Sequence, residues 1–123
     1  MTHKIMVVDD DQPILELMKL LLRRIGYEPV MMPDVLEALE MIKTNPPSLI
    51  LLDIMMTPIN GWQFLEQVRG DSRSRDLPVI LFTASPLIDE KIAQMHDPKL
   101  GVLEKPVSLN ELRASIEKYL GPL

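Results

Sequence analysis

With 123 residues, 46% hydrophobic and 25% charged, the chain is long enough to bury one real core and too short for a second domain. Net charge is −5 and the 13 Lys and Arg are scattered, so no basic stripe offers a phosphate-backbone footprint and nucleic acid is not expected as a partner. The absence of cysteine removes disulfides and thiolate metal sites. With no signal-like N-terminus and no apolar stretch near the roughly 20 residues of a spanning helix, the expectation is a soluble cytoplasmic protein without a membrane partner.

Ile5 to Val8 is an apolar, β-branched-rich run and predicts a strand. Ile14, Leu17, Met18, Leu21, Leu22 and Ile25 then recur at helical spacing, in a helix that Pro13 can open and Gly26 can close. Tyr27 to Met31 reads as a short strand weakened by Pro29. Asp34 and Glu37 have capping-box spacing before Leu39 and Ile42, and Pro46-Pro47 stops that helix. Leu49 to Leu52 is apolar without interruption, as in a strand buried on both faces, and Asp53 ends it. Trp62, Leu65 and Val68 mark a third helix, Val79 to Phe82 a fourth strand, and Leu87 to Met95 a weaker helix ending near Pro98. Val102 and Leu103 suggest a short fifth strand. Ser108 and Glu111 repeat the capping-box spacing before Leu112, Ile116 and Leu120, with Gly121-Pro122 as the stop.

Strands that each lead into a helix imply a parallel sheet, because a crossover helix returns the chain to the same edge. The expected fold is a doubly wound α/β sandwich of five strands with helices on both faces, in which ligands bind beyond the carboxyl ends of the strands. The residues there are Asp9 to Asp11, Asp53, Thr83 and Lys105. Adjacent carboxylates repel one another and resist burial, unless a hard divalent cation such as Mg²⁺ neutralises them. A hydroxyl and an ammonium beside such a cation supply what a transferring phosphoryl group needs. Asp53 stands alone at a strand end and is the better phosphoacceptor, leaving Asp9 and Asp10 to cooperate on the metal.

The stretches "VVDDD", "LILLDIMMTPINGWQFL", "PVILFTAS" and "LEKPVSLNEL" resemble the response-regulator receiver domains of two-component signalling, over essentially the whole chain. The resemblance implies one receiver domain over residues 1–123, apparently stand-alone, with strand order 2-1-3-4-5. It implies that Asp53 takes a phosphoryl group from a histidine kinase and that Asp10, Asp53 and the Met55 backbone carbonyl ligate Mg²⁺, with Mn²⁺ as a substitute. Asp9 would assist beside the ion or through water. Thr83 resembles the switch hydroxyl, Lys105 the ammonium that pairs with the phosphoryl group, and Lys105-Pro106 a cis peptide. The chain would catalyse only its own phosphorylation and dephosphorylation and signal to a downstream protein, as a monomer or a phosphorylation-dependent dimer.

Departures from the family pattern carry expectations of their own. Met56 is followed by Thr57, which displaces Pro58 by one position, and "HDPKLG" replaces the usual small turn before the fifth strand. Val102 stands where the family often has an aromatic ring that reports phosphorylation. Met55 and Ser85, at the positions that tune acyl-phosphate lifetime, offer no carboxylate or amide to orient water, which predicts slow self-dephosphorylation. Ala84 is small and leaves the phosphoryl site open.

Taken singly, each residue has an ordinary reading. Asp11 beside Gln12-Pro13 is a turn or cap residue, Met31-Met32 and Met55-Met56 are core and loop packing, and Trp62 is a packing anchor. His3 and His96 are isolated and take no role. A haloacid-dehalogenase-like phosphohydrolase with Asp9 as nucleophile is the alternative from another class, although Gln12-Pro13 and the chain length count against it. A degenerate receiver acting only as a binding module is a third reading. Flavin binding is disfavoured because "DDDQP" would repel a phosphate.

Overall fold

Each apolar run flanked by turn residues becomes a strand in the computed structural model, which describes residues 2–83 and 88–123, with side chains of residues 88–90 excepted. The strands are β1 (Lys4–Val8), β2 (Glu28–Met32), β3 (Leu49–Asp53), β4 (Val79–Thr83) and β5 (Leu100–Glu104). The helices between and after them are α1 (Gln12–Ile25), α2 (Val35–Thr44), α3 (Gly61–Gly70), α4 (Ile88–Met95) and α5 (Leu109–Leu120). The strands form one parallel sheet of order β2-β1-β3-β4-β5, the doubly wound order expected. The assignments to Ala84, Ser85 and Leu87 lie outside the described residues.

Strand alternation divides the core in two. Met6, Val8, Ile50, Leu52, Val79 and Leu81 pack with Val35, Ala38, Ile42, Phe64, Leu65 and Val68 of α2 and α3. Ile5, Val7, Leu49, Leu51, Ile80 and Phe82 pack on the other face with Leu15, Met18 and Leu22 of α1 and Leu112 and Ile116 of α5. The central strands β3 and β4 are buried at every position, which explains why they read as unbroken apolar runs.

Local chemistry sets the helix ends. Asp34 accepts hydrogen bonds from the Leu36 and Glu37 N–H groups, and Ser108 accepts one from Glu111 N–H, as the spacing predicted. Asn60 and Gln63 form a reciprocal capping box at α3; the sequence reading did not find this one, although Asn-x-x-Gln is a permitted form of the signal. Gly26, at φ 117°, closes α1 in the left-handed conformation. There the Leu22 carbonyl accepts from both Gly26 and Tyr27 N–H. Tyr27 thus belongs to the helix stop, and β2 begins one residue later than predicted.

β5 is longer than Val102 and Leu103 suggested, because Leu100 and Gly101 also pair with Val79 and Ile80. Gly101 hid the strand: a Cβ there would come within 2.6 Å of the Tyr119 hydroxyl, so the glycine that weakens the strand pattern leaves room for a side chain of α5. At the opposite end from the strand-end carboxylates, the Arg69 guanidinium donates to Asp97 Oδ2 at 2.7 Å and to the Leu77 and Lys99 carbonyls at 2.7 and 3.1 Å. This fork ties α3 to "HDPKLG" and the start of β5. Trp62 is partly buried against the core, with Lys91 Nζ 4.2 Å from its ring centre. Met32 and Met56 are buried as expected, but Met55 is 78% exposed and packs no core. No helix among the described residues is long and apolar enough to cross a membrane.

Candidate functional site

β1 delivers Asp9 to the sheet edge. Its N–H donates to the Met32 carbonyl at 3.2 Å, continuing the strand ladder, and its side chain is wholly buried. Asp9 Oδ1 accepts from Asp11 N–H at 2.9 Å, so Asp11 helps hold its neighbour and leads into α1 without capping it by side chain. Asp10 is exposed. Asp53, the last residue of β3, is buried, and its Oδ1 accepts from Met55 N–H at 3.3 Å. One carboxylate oxygen from each of Asp9, Asp10 and Asp53 lies within 4.8 Å of the others.

Lys105 comes to the same place from the loop after β5. Its N–H donates to the Thr83 carbonyl at 2.9 Å, joining that loop to the end of β4, and the Lys105-Pro106 peptide is cis, as is Thr57-Pro58. Lys105 Nζ is 3.6 Å from Asp9 Oδ2 and 3.7 Å from Asp53 Oδ1, and 4.7 Å from the Phe82 ring centre. Thr83 is buried at the end of β4.

The electrostatics follow from burial. Desolvation pushes the Asp9 carboxyl up to about 6, and the Asp53 charge adds to the rise, while the Asp11 N–H and the Lys105 ammonium oppose it. Asp9 Oδ2 is buried and has no hydrogen-bond partner among the described residues. An orphaned anionic oxygen among three convergent carboxylates fits a hard divalent cation, which prefers such oxygens to nitrogen or sulfur.

Two residues that touch this site were missed in the sequence. A Cβ on Gly61 would lie 2.7 Å from the Asp53 carbonyl oxygen and from Ile54 Cα, while Gly61 N–H donates to the Ile54 carbonyl at 2.8 Å. Only a glycine allows α3 to start this close to the end of β3, and the Asn60-Gly61 dipeptide was the available signal. Phe82 was read only as the end of the fourth strand, with nothing local to show that Lys105 would lie over its ring.

The sequence matches the response regulator receiver domain over residues 5–117. The response regulator MprA of Mycobacterium tuberculosis (strain ATCC 25177 / H37Ra) is 34% identical over 120 residues, which are 98% of this chain and 51% of that protein. The chain therefore spans about half the length of the curated relatives it matches. The N-terminal domain of the response regulator receiver protein from Methanoculleus marisnigri JR1 is 37% identical with a TM-score of 0.78, over 98% of both chains. Chemotaxis protein CheY4 of Vibrio cholerae, 24% identical over 97% of this chain and 99% of its own, shares the fold with a TM-score of 0.86. By sequence and by fold, the chain belongs to the response regulator receiver domain family.

Proposed function

We propose that this domain is a phosphorylation-dependent signalling switch that accepts a phosphoryl group from a histidine kinase onto Asp53. The observation that carries the reading is the gathering of Asp9, Asp10 and Asp53 oxygens within 4.8 Å of one another, with Lys105 Nζ at ion-pair distance from two of them. An Asp53 carboxylate oxygen attacks phosphorus as the bond from phosphorus to the donor imidazole nitrogen breaks, and that nitrogen keeps the electron pair. Lys105 meets the negative charge on the phosphoryl oxygens, and Thr83 donates its hydroxyl to one of them. Asp10, Asp53 and the Met55 carbonyl would hold Mg²⁺ or Mn²⁺, with Asp9 lending its charge nearby. When bound, the ion supplies positive charge to the transferring phosphoryl group.

For the hydrolase alternative Asp9 is the less accessible nucleophile, since its side chain has no exposure where that of Asp53 keeps 9%, and its Oδ1 is held at 2.9 Å by Asp11 N–H against 3.3 Å from Met55 N–H to Asp53. The phosphoryl group biases a two-state equilibrium of the domain, and the output passes to a partner protein by a changed surface around α4 and β5. Val102 is only partly buried against the α2–α3 layer, so that surface is read out without a ring at this position. A cytoplasmic location accords with a kinase donor.

Incubation with acetyl phosphate and magnesium, followed by mass-spectrometric mapping, tests the proposal. Modification of Asp53 that requires the metal supports it. Modification of Asp9 identifies a hydrolase, and modification at neither residue identifies a binding module that has lost phosphorylation.

A further inference from the structure

We propose that Phe82 is a positioning residue for Lys105, its ring face holding the lysine ammonium beside Asp53 where an incoming phosphoryl group arrives. The functional half of this inference rests on Asp53 as phosphoacceptor; the contact itself rests on geometry.

Lys105 Nζ lies 4.7 Å from the Phe82 ring centre, inside the ~6 Å over which the negative face of a ring attracts a cation. Its separations from Asp9 Oδ2 and Asp53 Oδ1, 3.6 and 3.7 Å, exceed hydrogen-bond length. The ammonium is thus attracted by both carboxylates and locked by a short bond to neither. The ring is the further contact that fixes its place.

Sheet register explains why this residue meets this lysine. Ile80 and Phe82 face α1 and α5, whereas Val79 and Leu81 face α2 and α3. Phe82 is the register partner of Asp53 on β3 and of Leu103 on β5. Asp53 follows Leu51 at an interval of two, so strand parity returns it to the α1–α5 face, and Lys105 stands just past β5, where its N–H donates to the Thr83 carbonyl next to Phe82. The ring thus lies under the Lys105 ammonium, which is itself 3.7 Å from Asp53 Oδ1.

The two partners differ in freedom. Phe82 is 1% exposed and packed in the cluster of Leu15, Met18, Leu112 and Ile116, so its face cannot turn away. Lys105 has a long flexible stem and a 24% exposed side chain. A fixed ring face narrows the positions of that stem without a hydrogen bond that must break when Asp53 acquires a phosphoryl group. An aliphatic residue would fill the same volume without attracting the charge.

Replacing Phe82 with phenylalanines bearing one, two and three fluorines tests this, because the shape is nearly kept while the ring's attraction for a cation falls. The rate of Asp53 phosphorylation by acetyl phosphate with magnesium should fall stepwise, by about three- to fivefold over the series. The slope should vanish in a Lys105→Gln background. A flat series, or a slope that persists without the lysine, overturns the proposal. In the unmodified protein, the Lys105 ε-methylene protons should resonate upfield under the ring current and return to ordinary positions in Phe82→Leu; ordinary positions in both overturn the contact. If the wild-type domain takes no phosphoryl group, the reading of Asp53 fails while the resonances still decide the contact.

Discussion

Asp9 Oδ2 faces Lys105 Nζ across 3.6 Å, too far for a hydrogen bond, from a side chain with no exposure to solvent. A buried carboxylate whose second oxygen meets only an ammonium at that distance is destabilising, and such a site is expected to trade stability for cation binding.

Asp9→Asn should therefore stabilise the metal-free domain. The substitution keeps an oxygen for the Asp11 N–H and removes the charge whose desolvation pushes the carboxyl up to about 6. A gain of about 1–3 kcal/mol is expected in urea unfolding at neutral pH with chelator present. Added magnesium should stabilise the wild type more than the variant.

The same carboxyl predicts a pH dependence of opposite sign to ordinary acid denaturation. Its folded value, about 6, lies above the 3.8 of the free group, so between these values the folded state binds more protons than the unfolded chain. Its contribution to stability rises as pH falls through this window. Without metal, the urea midpoint should rise between pH 7 and pH 5, and the rise should shrink in Asp9→Asn. Magnesium affinity, measured by titration, should weaken over the same interval because protons compete for the carboxylate.

Gly61→Ala tests the close approach of α3 to the end of β3. The new Cβ would stand 2.7 Å from backbone atoms of Asp53 and Ile54, which cannot yield as the tip of a side chain can. The expected loss is about 1–3 kcal/mol in unfolding, with slower phosphorylation of Asp53 as its strand end is displaced.

Met55→Asn tests the expectation of slow self-dephosphorylation. Met55 is 78% exposed and lies beside Asp53 Oδ1 through its N–H, so stability should change by less than about 0.5 kcal/mol. An amide there can orient water toward the acyl phosphate, and phosphoryl loss followed by mass spectrometry should accelerate on the order of tenfold. An unchanged or slower rate would count against the assignment.

Much of this arrangement was legible before folding was considered. Apolar runs such as Leu49 to Leu52 and helical spacing such as Ile14 to Ile25 are local patterns, and they report local geometry because side chains alternate in strands and recur every turn in helices. The rule that ligands meet the carboxyl ends of parallel strands singled out Asp9 to Asp11, Asp53, Thr83 and Lys105. Neither pattern distinguishes two adjacent aspartates, yet Asp9 is wholly buried and Asp10 is exposed. The close approaches at Gly101 and Gly61 were hidden for a related reason: each glycine makes room for a neighbour distant in the chain or across a loop, Tyr119 in one case and the Asp53 backbone in the other.

Period, punctuation and chain order were thus sufficient for the architecture and for which edge of the sheet carries the chemistry. The folded molecule was needed for distance, desolvation and company: that Asp9 loses its water, that Lys105 stops short of both carboxylates, and that Phe82 lies beneath it. Those properties arise from register between strands and from the path of the loop after β5, and interactions between residues so far apart in the chain leave no periodic trace in it.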